Sequence, residues 1–382
     1  MSAAAALPPP LPLRIALAGG DGASTIMSHL GAEHSHGRGL LGFFSHADAR
    51  LTLAPVCAEL RREVDAFRWP VVVLRGHGAE VRGVAALPGG RVASGAFDKA
   101  VRVYHAATGA CEAVLRGHAR YVLAVAALPR GRLASASGDG TLRVWDVASG
   151  ACERVLVGHA ATVCAVAALD DGRTLASASY DGTLRAWDVD SGAQTALLER
   201  GASAAAGAAG AAGGAAGGAE VGAGAEADMF HALCAAAGGR VVAALHDRTL
   251  IVWAAAGGGG AEAERVLAGH AAPVSGVAAL PGGARVASAS LDGTLRVWVV
   301  ATGACERVLT GHTGSVRAVA ALPDGRVASV ADDRTLRVWD VARGACVREL
   351  TGHAGAMRGV TAMEDGRVAT ASFDYTMRVW RV

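Results

Sequence analysis

The sequence is poor in the features that usually assign a protein to a class. Its 382 residues include a single lysine, Lys99, only 4% aromatic residues and a formal net charge of +2. A charge so close to zero gives no overall field favouring nucleic acid or an anionic membrane as a partner. No apolar run reaches transmembrane length, and the proline-interrupted stretch from Ala3 to Leu13 does not fit a signal peptide. We therefore expect an intracellular protein, cytoplasmic or nuclear, that contacts no membrane.

Motifs for catalysis and cofactor binding are also missing. The sequence contains no Walker motif and no Cys-x-x-Cys pair, and no Lys-Ser or Lys-Thr pair follows the glycine run 257–260. His29, His34, His36 and His46 lie close together, but their spacing matches no strong metal-ligand pattern, which favours a solvated loop. The sequence therefore predicts no metal ion, no cofactor and no enzymatic activity.

Four of the seven cysteines share one position, at the end of a recurring Gly-Ala-Cys: Cys111, Cys152, Cys305 and Cys346. A position that recurs with the repeat indicates packing rather than disulfide formation. We expect these side chains to pack at the start of a strand in a reduced protein.

What the sequence does contain is an internal repeat. Six Gly-His pairs, with neighbours about 41 residues apart except across one gap, are each followed after 21 or 22 residues by an aspartate and six residues later by an aromatic residue. The gap between His159 and His270 holds Asp247 and Trp253 at the same six-residue spacing, which makes a seventh unit. Short β-type runs and Asp-Gly turns predict four antiparallel strands in each unit. Sheets of this kind are stable when neighbours cover both faces, so we predict an all-β, seven-bladed β-propeller with a small N-terminal helical extension.

The position of the last unit predicts how the ring closes. After Trp380 only Arg381 and Val382 remain, so this unit has three strands, while the run 71–74 precedes the first Gly-His without a unit of its own. We expect 71–74 to pair with the strand around 377–382.

Residues 71–382 resemble the WD-repeat family in seven units. In that family the Gly-His histidine, a strand Ser or Thr, the turn aspartate and the tryptophan form a buried hydrogen-bonded tetrad. The resemblance implies tetrads at His118, Ser135, Asp139 and Trp145; His159, Ser177, Asp181 and Trp187; His270, Ser288, Asp292 and Trp298; His312, Ser329, Asp333 and Trp339; and His353, Thr370, Asp374 and Trp380. Tyr104 departs from the pattern in the first unit, and Ala243 replaces the serine in the fourth.

Two recurring patterns are compatible with chemistry as well as with packing. Ser, His and Asp are the components of a nucleophilic triad, but a catalytic site is needed once, so their recurrence favours a structural role. An arginine two residues before the aromatic in six of the seven units could form a nucleic-acid stripe, but its fixed place beside the aromatic favours packing within the blade: Arg102, Arg143, Arg185, Arg296, Arg337 and Arg378.

In propellers similar to this one, partners dock on the face where the Gly-His and Asp turns emerge. The residue after the first apolar position of each innermost strand points there, with the fourth unit unassigned: Arg82, Leu123, Cys164, Ser275, Arg317 and Arg358. Ring closure makes the three arginines neighbours, flanked by Phe97, Phe373 and Tyr121 and partly offset by Asp332. Because arginine forks suit carboxylates and phosphates, this arc predicts an acidic or phosphorylated peptide ligand, and the alternative is a solvated arginine rim.

The chain before the ring has a different composition. Leu40-Leu41-Gly42-Phe43-Phe44 and the following Asp48, Leu51, Val56-Cys57, Leu60-Arg61, Val64 and Trp69 resemble the C-terminal part of an F-box. We predict a disordered or irregular segment over 1–37, a helical F-box-like segment over 38–69 and the propeller over 70–382. Within the propeller, the Gly- and Ala-rich residues 201–227 are expected to form a flexible insertion.

Two functions remain open from the sequence. The first is a non-catalytic scaffold that binds proteins or peptides on the propeller face. The alternative, implied by the F-box resemblance, is a substrate receptor of a cullin-type ubiquitin ligase that binds an adaptor through 38–69 and reads an acidic or phosphorylated degron. An RNA-associated role is weaker, because the chain has no basic domain and no aromatic platform.

Overall fold

The computed structural model describes residues 71–199, 229–254 and 264–382. The chain divides into two units, 1–69 and 70–382, and all described residues belong to the second. The sequence predictions for 1–37, for the F-box-like segment 38–69 and for the insertion 201–227 lie outside the described residues. Within the described ranges no helix is long and apolar enough to cross a membrane.

The described residues form 28 strands in seven four-stranded antiparallel sheets, which we call blades 1 to 7. Blade 1 contains β2 (Val81–Leu87), β3 (Arg91–Ala96), β4 (Ala100–His105) and β5 (Cys111–Arg116). Blade 2 contains β6 (Val122–Leu128), β7 (Arg132–Ser137), β8 (Thr141–Asp146) and β9 (Cys152–Val157). Blade 3 contains β10 (Val163–Ala168), β11 (Thr174–Ser179), β12 (Thr183–Asp188) and β13 (Gln194–Glu199).

The remaining blades repeat this order. Blade 4 contains β14 (Phe230–Ala236), β15 (Arg240–Leu245), β16 (Thr249–Ala254) and β17 (Arg265–Ala268). Blade 5 contains β18 (Val274–Ala279), β19 (Arg285–Ser290), β20 (Leu295–Val299) and β21 (Cys305–Leu309). Blade 6 contains β22 (Val316–Ala321), β23 (Val327–Ala331), β24 (Thr335–Asp340) and β25 (Ala345–Thr351). Blade 7 contains β26 (Met357–Ala362), β27 (Arg367–Ser372), β28 (Met377–Arg381) and β1 (Val72–Leu74).

The hydrophobic core lies between the blades. Seven clusters of buried side chains each draw on two adjacent blades, and the last joins blade 7 to blade 1. Strands in the middle of a blade are covered on both faces, as in β7, where five of the six residues are buried. Burial of this apolar surface between neighbours stabilises the ring. The predicted all-β, seven-bladed propeller is therefore confirmed.

Ring closure follows the predicted clasp. Strand β1 pairs antiparallel with β28, with Val72 opposite Val379 and Leu74 opposite Met377. Leu74 is 1% exposed and packs in the cluster between blades 7 and 1. The pairing of 71–74 with the last strand is confirmed, and it supplies the outermost strand of blade 7.

The prediction that the side chains of the recurring cysteines are packed is wrong. Cys111, Cys152, Cys305 and Cys346 lie on outermost strands with exposed side chains, and none of the six described cysteines is in a disulfide. An outermost strand has a neighbour along one edge only, and in β9 only Leu156 is buried. The thiol of Cys152 instead lies 3.6 Å from Nη1 of Arg143.

Candidate functional site

A chain of hydrogen bonds links four side chains within blade 2. Nδ1–H of His118 donates to Oδ2 of Asp139 at 2.9 Å, and Nε2 of His118 accepts from Oγ of Ser135 at 2.7 Å. Nε1–H of Trp145 donates to the same Ser135 Oγ at 2.8 Å. We assign this tautomer from the network: the carboxylate of Asp139 can only accept, so Nδ1 carries the proton, and Nε2 of the neutral imidazole accepts from the serine hydroxyl. The four residues therefore satisfy one another's buried polar atoms.

The same tetrad recurs around the ring. Its three contacts measure 2.7–2.9 Å in blades 3, 5, 6 and 7, where they join the four residues that the resemblance implied. Blade 1 keeps His77, Ser94 and Asp98 with Tyr104 in place of tryptophan. In blade 4, Ala243 is buried where the other blades place a hydroxyl.

Protonation states follow from this geometry. Burial lowers the pKa of His118 below 6.5, although Asp139 opposes the shift. Burial would raise the pKa of Asp139, but hydrogen bonds from Thr141 and His118 outweigh it and lower the pKa to about 2. The pair is thus a neutral imidazole against a carboxylate at neutral pH. Ser135 is 0% exposed and both sides of its oxygen are bonded, so it cannot reach a substrate.

The arginine that precedes the aromatic in six of the seven blades packs against the same framework. The guanidinium carbon of Arg143 lies 5.9 Å from the centre of the Trp145 ring. A Cβ placed on Gly117, the glycine of Gly-His, would lie 2.9 Å from Nη1 of Arg143 and 3.2 Å from Cη2 of Trp145. Arginine, indole and glycine therefore form one close-packed group, and a side chain at Gly117 would require the guanidinium of Arg143 to move.

The innermost strands of the seven blades surround a central channel, and each has a β-bulge at the end where the Gly-His and Asp turns emerge. We call this side of the propeller the channel face. The pairing of each innermost strand with its neighbour skips the second residue of the innermost strand. A bulged residue is left out of the pairing, and its side chain is redirected. Around the ring the skipped residues are Arg82, Leu123, Cys164, His231, Ser275, Arg317 and Arg358.

His231 was missed from the sequence because the fourth unit has no Gly-His to set its register. A usable signal was present in the spacing. The bulged residue precedes the turn aspartate by 16 or 17 residues in every other unit, and His231 precedes Asp247 by 16. The turn aspartate alone therefore suffices to place the bulge.

A second set of side chains lies beside the bulged residues. The backbone N–H of Phe97 donates to the carbonyl of Glu80 at 2.9 Å, and that of Asp332 donates to the carbonyl of Ser315 at 3.0 Å. Because each acceptor comes two residues before a bulge, the residue preceding the turn aspartate is held against the same face.

Six of these side chains, together with Tyr121 at the start of blade 2, form a connected group that we call the arginine–aromatic cluster: Arg82, Phe97, Tyr121, Arg317, Asp332, Arg358 and Phe373. Asp332 accepts from Nε of Arg317 at 2.9 Å and lies 3.1 Å from Nη1 of Arg358. The guanidinium carbon of Arg358 lies 4.0 Å from the ring centre of Phe373.

The cluster continues into blades 1 and 2. The guanidinium carbon of Arg82 lies 5.4 Å from the ring centre of Phe97 and 5.9 Å from that of Phe373. Phe97 in turn stacks on Tyr121 with ring centres 4.9 Å apart. The structure thus brings together all six residues that the sequence nominated for partner binding, and joins them across blades 6, 7, 1 and 2.

The three arginines differ in how much of their binding capacity is free. Asp332 binds both Arg317 and Arg358, whose side chains are 28% and 15% exposed. Burial and the nearby Arg317 lower the pKa of Arg358 to about 10, so it remains a cation at pH 7. Arg82 is exposed and, among the described residues, its side chain has aromatic neighbours but no carboxylate or carbonyl acceptor. Arg82 therefore has its N–H groups available for a ligand.

Across the channel, blade 4 contributes two imidazoles. The rings of His231 and His246 lie 5.3 Å apart, and neither His231 Nε2 nor His246 Nδ1 has a hydrogen-bond partner among the described residues. Burial lowers the pKa of His231 to about 4, assisted by His246 and Arg82. His231 is therefore neutral at pH 7.

Comparison with known proteins identifies the repeat. The family described as WD domain, G-beta repeat matches residues 68–105, 109–146, 150–188, 262–299, 303–340 and 344–381, more than half of the chain. Each matched stretch begins with the outermost strand of one blade and continues into the next blade, which is the offset that the clasp requires. No curated protein matches the chain. With six matched repeats, seven blades and five complete tetrads, the chain belongs to the WD-repeat family.

Proposed function

We propose that this protein is a non-catalytic interaction scaffold whose arginine–aromatic cluster binds an acidic or phosphorylated segment of a partner protein. Propellers of this family generally bind proteins and do no chemistry themselves. A recurrent tetrad supplies the rigid frame, and the three arginines of the cluster project from bulges on that frame.

The observation that carries this proposal is the state of Arg82. Its guanidinium lies near two phenyl rings, exposed, with no carboxylate acceptor among the described residues. Aromatic neighbours fix the plane of a guanidinium without using its N–H groups. A planar fork held in this way suits a carboxylate or phosphate, and each charge-assisted hydrogen bond contributes roughly 1.5 to 3 kcal/mol.

Arg317 and Arg358 have a different part in the same proposal. Asp332 fixes both guanidinium groups, which reduces the side-chain entropy lost when a ligand binds. They supply positive potential beside Arg82 rather than free forks.

The test compares Arg82→Glu with Arg116→Glu. Arg116 is an exposed arginine at the end of β5, on the outer edge of the same blade, so both variants make the same charge change. The probe is a fluorescein-labelled peptide in which glutamate alternates with glycine, together with a version carrying one phosphoserine. We expect Arg82→Glu to weaken binding of both probes by about tenfold or more, which corresponds to the loss of one charged hydrogen bond.

Arg116→Glu is expected to leave the affinity unchanged once salt screens the difference in net charge. Equal affinity of wild type and Arg82→Glu would contradict the proposal. So would binding that is lost equally in both variants, because that result indicates a general charge effect.

A further inference from the structure

Four turns on the channel face contain side chains in a backbone conformation that normally favours glycine. The residue after the turn aspartate has a positive φ in every blade, and in blades 2, 3 and 5 it is glycine. Blades 1, 4, 6 and 7 place other residues there: Lys99 (φ 66°), Arg248 (φ 74°), Arg334 (φ 65°) and Tyr375 (φ 63°).

These side chains are held at an energetic cost. A left-handed conformation brings Cβ close to the following carbonyl, and bulky residues avoid it. In blades 2, 3 and 5 glycine occupies this position, so the turn itself requires no side chain there. Strain of this kind is concentrated at functional sites, where the side chain itself is needed.

Three of the four strained residues lie on the blades of the arginine–aromatic cluster. Lys99, Arg334 and Tyr375 are each two residues beyond a cluster member, so their Cα atoms lie within about 7.6 Å of Phe97, Asp332 and Phe373. Tyr375 is 51% exposed, and Lys99 and Arg334 are also exposed. Nη1 of Arg334 lies 3.4 Å from the carbonyl of Ala354, which places it across the gap between blades 6 and 7.

The charge balance shows what these residues add. The cluster has three cations, but Asp332 binds two of them, and Glu80 also acts on Arg358. Lys99 and Arg334 therefore supply two further positive charges beside a centre that is largely compensated.

We propose that Lys99, Arg334 and Tyr375 form an outer subsite, so that the ligand is an extended acidic segment running from the channel mouth to the edge of blades 6, 7 and 1. This inference rests on the proposed function and specifies the length and course of its ligand. A single acidic side chain fills the position at Arg82, and the following acidic residues reach the outer subsite.

The experiment uses two labelled probes, a short one of three glutamates and a long one of nine residues in which glutamate alternates with glycine. The full-length chain is compared with Lys99→Gly/Arg334→Gly/Tyr375→Gly, with Arg334→Gly alone, and with Arg248→Gly as the matched control on blade 4. Affinity is measured by fluorescence anisotropy in raised salt, and the melting temperature of each variant is recorded.

We expect the triple variant to bind the long probe roughly fivefold or more weakly, since each exposed charged contact is worth a factor of about 1.4 to 5. Its affinity for the short probe should stay within about twofold of wild type. Glycine relieves the strain, so the melting temperature should be unchanged or higher in every variant, including Arg248→Gly. Arg248→Gly should bind both probes as wild type does.

The outcomes separate this inference from the proposed function. Wild type that binds neither probe would overturn the outer subsite, and failure to bind the phosphoserine probe as well would overturn the proposed function. Wild type that binds both probes with equal affinity, or a triple variant that binds the long probe as wild type does, would overturn the outer subsite alone. A melting temperature that falls in the glycine variants would show that these turns are not strained, and the inference depends on that strain.

Discussion

Blades 6, 7 and 1 share their frame with blades 2, 3 and 5, and differ from them on the channel face. Both groups have the same strand order, the same bulge and the same bond from histidine to aspartate. At the bulge, however, one group has arginine three times, and the other has leucine, cysteine and serine. After the turn aspartate, one group has lysine, arginine and tyrosine, and the other has glycine. The recurring positions therefore build the ring, and the positions that vary between blades distinguish the side that carries the arginine–aromatic cluster.

The largest expected effect concerns the strand that closes the ring. Leu74→Ala and Leu156→Ala remove equivalent leucines, 1% and 2% exposed, from outermost strands on the two sides of the ring. A cavity of this kind costs about 2 to 5 kcal/mol. We expect Leu74→Ala to cost more, because no short turn ties β1 to its neighbour β28, so weakened packing lets it separate.

Denaturant unfolding of both variants measures this difference. Leu74→Ala should also weaken binding of the acidic probe, since Arg82 and Arg358 meet across the seam that β1 stabilises. Equal unfolding free energies would show that the clasp is no more vulnerable than any other outer strand.

A smaller effect tests whether the tetrads stabilise the two sides of the ring equally. Ser135→Ala in blade 2 and Ser329→Ala in blade 6 each leave a buried indole N–H and an imidazole nitrogen without their partner. Each should lower the free energy of unfolding by about 1 to 3 kcal/mol, and by similar amounts. A marked difference between them, measured by thermal or denaturant unfolding, would mean that the tetrads also distinguish the two sides.

The smallest effect is expected in mild acid. Burial lowers the pKa of five tetrad histidines below 6.5: His77, His118, His270, His312 and His353. The tetrad aspartates have lowered pKa values as well, about 2 for Asp139, Asp292 and Asp374. A lowered pKa means that the folded state binds fewer protons than the unfolded state, so stability is present above the unfolded pKa and is lost as pH falls.

The melting temperature should therefore decline slightly from pH 7 to about 6 and faster below that, as the unfolded histidines and then the unfolded carboxylates take up protons. Arg82→Glu serves as the control, because it leaves all tetrads intact and should give a parallel curve. A melting temperature that rises on acidification would contradict the assigned neutral tautomer.

Much of this architecture could be predicted from the sequence, because the residues of each tetrad recur at the same positions in several repeats. The clasp followed from the run 71–74, which precedes the first Gly-His without a unit of its own. The arc followed from ring closure, which makes Arg317, Arg358 and Arg82 neighbours.

What the sequence did not give depends on contacts between side chains. Asp332 binds both Arg317 and Arg358 and leaves Arg82 without a carboxylate partner among the described residues. This arrangement depends on the geometry between blades. His231 lacked its local marker, and the exposure of Cys152 and its equivalents depends on their strand having a neighbour along one edge only. The strained turns at Lys99, Arg334 and Tyr375 are visible only from backbone angles.

The seam between blades 7 and 1 has a consequence for the order of events during synthesis. Arg82 is made with the first blade, while Phe373, against which it lies, is made with the last, and β1 has no partner until β28 exists. A chain still on the ribosome therefore cannot present the complete surface, however well its early blades have folded. The arginine–aromatic cluster is complete only after both blade 1 and blade 7 have been made.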